Sequence, residues 1–353
     1  MPMTVGVLGL IHDHVWRHLA DLATRDDVRV VVADPNPPLL AKVSAEARVA
    51  ATYADYADLL EWERPDAVLI MVDNAGKADL VELAANHGKP IMLEKPLTDR
   101  LVNAERIRVA SERSGVPIMV NWPTAWSPAT RHALDLAAGG AVGAITRFHF
   151  RGGHAGPRAF GCSDYFCDWL YDPDRNGAGA YIDYCGYGAS LARLLLGPAR
   201  SAQATIARLR QDDIAVDDNA VLTLRWDRAI AVIEASWTAA GPITDSGPTI
   251  AGTTGTLVVR RPSSRREGHT ATGTGMIEHV TADKTEGRVI EPPALPVGER
   301  NAVEHFLARV ADGQPFMPLA SLQLGYETQE LLEAGLRAAN EGREVRLPLA
   351  PEA

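Results

Sequence analysis

Short apolar runs separated by amphipathic stretches fix what the first third of this chain can become. The runs are 3–9, "VRVVVAD" at 28–34, "AVLIMV" at 67–72, "PIML" at 90–93 and "PIMV" at 117–120. Between them lie helical patterns near 15–25, 37–47, 55–63, 77–87 and 99–114. Strands alternating with crossover helices predict βαβ units, and so a parallel, doubly wound α/β sheet of right-handed connections. "ANHGKP" and "RSGVP" each put a glycine just past a last helical turn and a proline at the next strand, which stops one element and starts another.

From about 123 the texture changes. A helix near 127–138 and a strand at 144–152 precede the aromatic, glycine-rich "GCSDYFCDWLYDPDRNGAGAYIDYCGYG" (161–188), and a helix is predicted over about 179–196. Runs of β character follow at 199–210, 219–226, 229–237 and 255–261, joined by short turns that predict an antiparallel sheet. The stretch 262–298 reads as loop or weak strand, and helical patterns return at 299–312 and 319–341. A chain of 353 residues exceeds what one core supports. The expected division is a dinucleotide-binding domain at 1–122 and an α+β domain at 123–353, built on a large open, mostly antiparallel sheet.

A formal net charge of −10 argues against a nucleic-acid or anionic-membrane partner. The basic "RRPSSRRE" at 260–267 reads as a solvated hairpin or loop. No apolar stretch approaches the roughly 20 residues of a membrane helix, and the N-terminus carries no export signal. Three cysteines, Cys162, Cys167 and Cys185, then read as reduced thiols. A cytoplasmic protein is expected.

The first strand runs into "VLGLIHDHVW" (7–16). A strand, a glycine turn at Gly9 and a helix form the frame that holds a dinucleotide pyrophosphate. The fingerprint G-x-G-x-x-G would need glycine at 11 and 14, where this chain has Ile11 and His14. Asp34 closes the second strand, where a carboxylate accepts from ribose hydroxyls and repels a 2′-phosphate, so NAD is expected rather than NADP. "LEKP" at 93–96 sets Glu94 and Lys95 at a strand's C-terminal end, the rim where doubly wound sheets bind ligands. A lysine there can hydrogen-bond a substrate hydroxyl and help move its proton. His12, His14 and His18 come with no carboxylate or cysteine at a ligand spacing, so no metal is expected. His12 or Asp13 instead replaces part of the lost phosphate contact, or His14 caps the helix.

Strand-end "EKP", "MVDNAGKADLVELAANHGKPIMLEKP" (71–96), "GAGAYIDYCGYG" (177–188) and the C-terminal "LGYETQELLEAGLRAANEGREVRL" resemble the Gfo/Idh/MocA family of sugar and polyol oxidoreductases. The resemblance spans nearly the whole chain. It implies hydride transfer to or from a nicotinamide, and that the domain at 123–353 binds substrate and forms the oligomer, its sheet often being the interface. Lys95 matches the family lysine that contacts substrate and nicotinamide. Asp183 matches the aspartate of G-G-x-x-D-x-G-x-H, where this chain has Cys185 for a glycine and Tyr187 for the histidine. In the loop written T-P-N-x-x-H, here Val72–Lys77, only Asn74 is retained. Coenzyme contacts are thus expected from Gly9, Ile11, His12, Asp34, Asn74, Glu94 and Asn121.

Asp183 and Tyr187, four apart on the expected helix, would share a face. An unperturbed tyrosine titrates near 10 and is a poor base at neutral pH, but a neighbouring ammonium favours the phenolate. The expected catalytic set is therefore Lys95, Tyr187 and Asp183, the last orienting Lys95 or binding a hydroxyl. Trp122, Trp126 and Trp169, with Tyr165, Phe166 and Tyr171, suit the apolar faces of a sugar. Substrate contacts are expected from Lys95, Trp122, His154, Arg158, Trp169 and Asp183. The function expected is an NAD-dependent oxidoreductase acting on a hydroxyl-bearing carbon of a sugar, cyclitol or derivative. Two alternatives stand beside it: NAD-assisted elimination, hydrolysis or epimerisation without net redox, and a sugar-binding relic. A homodimer or homotetramer would cover the open sheet.

Overall fold

The computed structural model describes residues 2–241, 247–260 and 275–350. The basic stretch at 260–267 lies outside these except for Arg260, which ends a strand and pairs with Glu278 at 2.8 Å. The chain forms two compact units. The first comprises Met1–Asn121, Cys162–Gly177 and Val297–Tyr326; the second comprises Trp122–Gly161, Ala178–Pro296 and Glu327–Ala353. Two later stretches thus join the N-terminal unit, an arrangement that no local pattern in the sequence announces.

In the first unit six strands form one sheet: β1 (Met3–Leu8), β2 (Val28–Ala33), β3 (Ala51–Tyr53), β4 (Ala67–Ile70), β5 (Ile91–Glu94) and β6 (Ile118–Asn121). Their order is β3-β2-β1-β4-β5-β6, every pair parallel. The helices are α1 (His14–Ala23), α2 (Pro37–Glu46), α3 (Tyr56–Glu63), α4 (Lys77–Asn86) and α5 (Leu101–Ser114). β4, β5 and β6 are buried at every residue, because helices cover both faces of a parallel sheet; that is why they read as apolar runs up to the Glu94 and Asn121 that end β5 and β6. β3 escapes the sequence pattern because it is three residues long and half exposed. Order reverses between β1 and β4, which opens a crevice beyond their carboxyl ends, the ligand site of such sheets. Gly9, Asp34, Val72–Lys77 and Lys95 follow the carboxyl ends of β1, β2, β4 and β5, and Asn121 closes β6.

The second unit carries nine strands: β7 (Ile145–Gly153), β8 (Ser201–Ala207), β9 (Asn219–Arg225), β10 (Ile230–Ser236), β11 (Gly247–Gly252), β12 (Gly255–Arg260), β13 (Met276–Thr281), β14 (Lys284–Ile290) and β15 (Val345–Arg346). The order is β14-β13-β12-β11-β7-β10-β9-β8-β15. Only β7 and β10 pair in parallel, so the sheet is large and mostly antiparallel, as the alternating runs predict. β13 and β14 give form to the stretch read as loop or weak strand.

The helix expected over 179–196 is present but opens with a wide turn. Tyr181–Cys185 is a π turn, and a regular helix runs only over Gly186–Leu196. The N-terminal side of the wide turn is pinned: Gly179 and Tyr181 donate backbone N–H groups to the Asp217 carboxylate at 2.6 and 2.8 Å, and the Tyr181 hydroxyl donates to the Leu332 carbonyl at 2.8 Å. Asp183, within the turn, accepts from the Trp237 indole. π turns of this kind recur at functional sites.

Burial pushes the Asp217 carboxyl up to about 6 against the two N–H donors. A folded value above the unfolded one means the native state binds the extra proton between about 4 and 6, so this contribution to stability is present below that window and lost across it. Asp217→Asn removes the titration. The stability of the natural protein relative to this variant should fall by about 3 kcal/mol between pH 4 and 6 and then level. Urea titrations at several pH values measure it, and a difference independent of pH would refute the assignment.

Candidate active site

Gly9 makes the turn out of β1 with φ +96°. A Cβ there would lie 2.5 Å from Val72 Cγ1 and 2.7 Å from the Met71 carbonyl oxygen, so only glycine fits. The rest of the loop is held by side chains. Leu10 N–H donates to Asp34 Oδ2 at 2.6 Å, and the Asn36 N–H and amide both donate to Oδ1 at 2.7 Å. Ser163 donates to both oxygens of Asp13, at 2.7 Å from its N–H and 2.6 Å from its hydroxyl. The Trp169 indole donates to the Ile11 carbonyl at 3.3 Å. Asp34 is fully buried in this role, and Trp169, expected among the sugar contacts, is 1% exposed.

Glu94 is also fully buried. His18 Nε2 lies 2.6 Å from its Oε1, Asn121 donates to the same oxygen at 2.6 Å, and His14 Nδ1 lies 3.0 Å from Oε2. Burial alone would raise this carboxyl, but the two imidazoles hold it well below the usual carboxylate range. His12, 1% exposed, is kept well below the ordinary histidine value by burial first and then by His14, so its ring is neutral. His12, His14 and Glu94 bring ligand atoms within 4.8 Å of one another. Spacing could not reveal this carboxylate, which lies 80 residues from His14. Its oxygens already accept from three groups, two of them the α1 histidines His14 and His18, so Glu94 ties the start of that helix to the end of β5.

Beyond the ends of β1, β2 and β4 lies a cleft of about 530 Å³, lined among others by Ile11, Asn36, Tyr56, Tyr165, Asp168 and Arg175. Ile11, in the place of the second fingerprint glycine, forms part of its wall instead of closing it. The wall carries Asp73, Asp79 and Asp168 against the single cation Arg175, itself paired with Asp73 at 2.7 Å. A dinucleotide fits this arrangement: a turn only glycine can make, a cleft at the sheet's switch point and two tyrosine rings on its wall.

Lys95 follows β5 and is 6% exposed. Asn74, expected to meet coenzyme, is buried with its amide donating to Asn176 Oδ1 at 2.7 Å and its oxygen accepting from Lys77 at 2.8 Å. Lys77 and the Asp13–Ser163 contact are features of the site region that sequence reasoning missed. Lys77 was visible only as the residue standing at the loop's last motif position.

In the second unit Asp183 Oδ2 accepts from the Trp237 indole at 3.1 Å. The Tyr187 ring stacks on Phe150 at 6.3 Å and meets Trp122 edge-on and Tyr184 at a tilt, each at 5.8 Å. His154 stacks on Phe160 at 4.9 Å and meets Tyr184 edge-on at 5.4 Å, while its Nδ1 accepts from Gly156 N–H at 3.0 Å. Gly152 leaves room for this, since a Cβ there would sit 2.5 Å from the Tyr184 ring. Asp183, Tyr187, His154 and Trp122 therefore belong to one aromatic cluster. Tyr184 and Trp237 join it without having been foreseen. Trp122 is itself fully buried, and Arg158 is an exposed side chain paired with Asp213 at 3.1 Å.

A glycine-turned crevice in a β3-β2-β1-β4-β5-β6 sheet, with a lysine at its rim, defines a dinucleotide-binding oxidoreductase. The model described as "Oxidoreductase family, NAD-binding Rossmann fold" matches residues 3–122, and that of the GFO/IDH/MocA C-terminal domain matches 130–258. The chain belongs to the Gfo/Idh/MocA family. It is 29% identical over 239 residues to D-xylose 1-dehydrogenase (NADP(+)) 2 of Haloferax volcanii, covering 67% of this chain and 70% of that one. Its fold is similar to aldose–aldose oxidoreductase from Caulobacter crescentus complexed with glycerol, with TM-score 0.80, 19% identity and coverage of 98% and 100%. It is likewise similar to levoglucosan dehydrogenase complexed with NADH and levoglucosan, with TM-score 0.80, 21% identity and coverage of 99% and 100%. Among the described residues no helix is long and apolar enough to cross a membrane, and all three cysteines are free thiols.

Proposed function

We propose that this chain is an NAD-dependent dehydrogenase or reductase of a sugar, cyclitol or sugar derivative. The observation that carries the reading is the Glu94-Lys95-Pro96 rim of the coenzyme sheet, in a chain of this family. When bound, the nicotinamide supplies the carbon that takes or gives the hydride. Lys95 hydrogen-bonds the reacting hydroxyl and shares its proton with Tyr187, while Asp183 binds a neighbouring hydroxyl. The aromatic cluster of the second unit offers ring faces to the apolar side of a sugar, with His154 and Asp183 as polar contacts. The acidic wall of the cleft disfavours a 2′-phosphate, which supports NAD over NADP. A cytoplasmic homodimer or homotetramer completes the reading.

Calorimetric titration of cofactor-stripped protein with NAD and with NADP tests the first step, and a sugar panel followed by NADH absorbance tests the second. Micromolar NAD binding with net NADH formation is expected. Tight NAD binding with product but no net NADH would point to the redox-neutral alternative, and no binding of either dinucleotide would sink the reading. Tyr187→Phe should lower turnover about 100-fold at constant NAD affinity. Unchanged turnover in the folded variant would exclude the phenol from proton transfer.

A further inference from the structure

Lys77 opens α4 with its side chain wholly buried, which for a lysine needs a reason. Its ammonium donates to Asn74 Oδ1 at 2.8 Å and to the main-chain carbonyls of Glu94 and Pro96, each at 2.7 Å. Those three bonds use every N–H the group has. Two of the acceptors are the carbonyls immediately before and after Lys95. One cation therefore grips the backbone on both sides of the rim lysine.

The grip is itself braced. Thr98 donates its hydroxyl to the Asn74 carbonyl at 2.8 Å, and Asn74 is oriented by Asn176. The charged and titratable groups around Lys77 are Glu94, Lys95, Asp73, Asp99 and His12. No carboxylate oxygen bonds its ammonium among the described residues, so the side chain is not one half of an ion pair. Burial pushes it down to about 7, which makes an ammonium here costly to keep. Three oxygens converging on one nitrogen oppose that push, because a neutral amine has only two N–H groups to offer them.

We propose that Lys77 is a positioning residue for Lys95: by tying the carbonyls of Glu94 and Pro96 to one nitrogen, it fixes the direction in which Lys95 leaves the sheet rim. The proposal deepens the dehydrogenase reading and rests on it for the role of Lys95. Lys77 lies behind the turn with no exposed surface and acts only through Lys95. Lys77→Met keeps the apolar stem and removes all three donors. Lys77→His restores the residue type the family motif carries there, with one N–H donor when neutral.

Amide hydrogen exchange over 93–99 should quicken about tenfold in Lys77→Met and less in Lys77→His, with peptides from β1 and β4 unchanged. This readout needs neither coenzyme nor substrate, so it stands even if the dehydrogenase reading fails, and that failure would show separately as absent NAD binding by the natural protein. On the sugar the natural protein oxidises, Lys77→Met should lose about 100-fold in kcat, with NAD affinity within about threefold, and Lys77→His should recover part of the loss. Unchanged exchange over 93–99 would overturn the proposal. So would an equal loss of kcat and NAD affinity, or failure of both variants to fold, each of which makes Lys77 a general structural residue.

Discussion

Gly9→Ala is expected to abolish NAD binding at concentrations where the natural protein is saturated, a loss of more than about 100-fold in affinity, and to lower stability by about 2–5 kcal/mol. The obstacle is backbone: the added methyl would lie 2.7 Å from the Met71 carbonyl oxygen as well as 2.5 Å from Val72 Cγ1, at φ +96°. Met71 is fully buried just beyond β4, so the strand end cannot recede without disturbing the centre of the sheet. The loop itself would have to move, taking with it the Leu10 N–H that Asp34 holds and the Ile11 carbonyl that Trp169 holds. Gly88→Ala is the control. Its φ is +67° but nothing lies within 4 Å of the new Cβ, so it should lose about 1 kcal/mol and no NAD affinity. Calorimetry with NAD and a urea titration of both variants decide the matter. Near-natural affinity in Gly9→Ala would mean that the pyrophosphate does not use this turn.

The contrast between Gly9 and Ile11 shows what sequence could and could not say about the coenzyme loop. The doubly wound sheet was legible because β4, β5 and β6 are buried on both faces and so are apolar up to the Glu94 and Asn121 that end β5 and β6. The positions of Gly9, Asp34 and Lys95 at strand ends followed from that alone. Whether Ile11 would obstruct a dinucleotide was not legible, because the loop that carries it is held from 150 and more residues away, by Ser163 on Asp13 and Trp169 on the Ile11 carbonyl. Nor could the sequence reveal that Asp34, Asn74, Glu94 and Asn121 are all buried and bonded within the protein. Four of the polar residues expected to face coenzyme are thus also tied to groups of the protein itself. The π turn at Tyr181–Cys185 escaped for a similar reason: its cause lies in Asp217 and Leu332, not in the helical pattern of 179–196. Local periodicity reports burial, while long-range hydrogen bonds decide which of several polar residues is left to do chemistry.

Lys95→Met should remove turnover by at least about 1,000-fold while leaving NAD affinity within about threefold. Methionine preserves the length and the apolar stem, so what is deleted is the ammonium that would hold the reacting hydroxyl and take part in moving its proton. Lys95→Arg should rescue little. A guanidinium stays protonated at every working pH and cannot give up a proton, so it can bind the hydroxyl but not relay its charge. The lysine is 6% exposed and its backbone is gripped through Glu94 and Pro96, so a longer, forked side chain has little freedom to adjust. The double variant Lys95→Met with Tyr187→Phe then tests whether the two act on one proton. If they do, it should lose no more turnover than Lys95→Met alone, because groups that work as a unit are strongly non-additive. Multiplied losses would mean separate roles for the ammonium and the phenol. Turnover of Lys95→Met within tenfold of the natural protein, at intact NAD binding, would remove Lys95 from the chemistry and with it the reason to read the strand-end motif as catalytic.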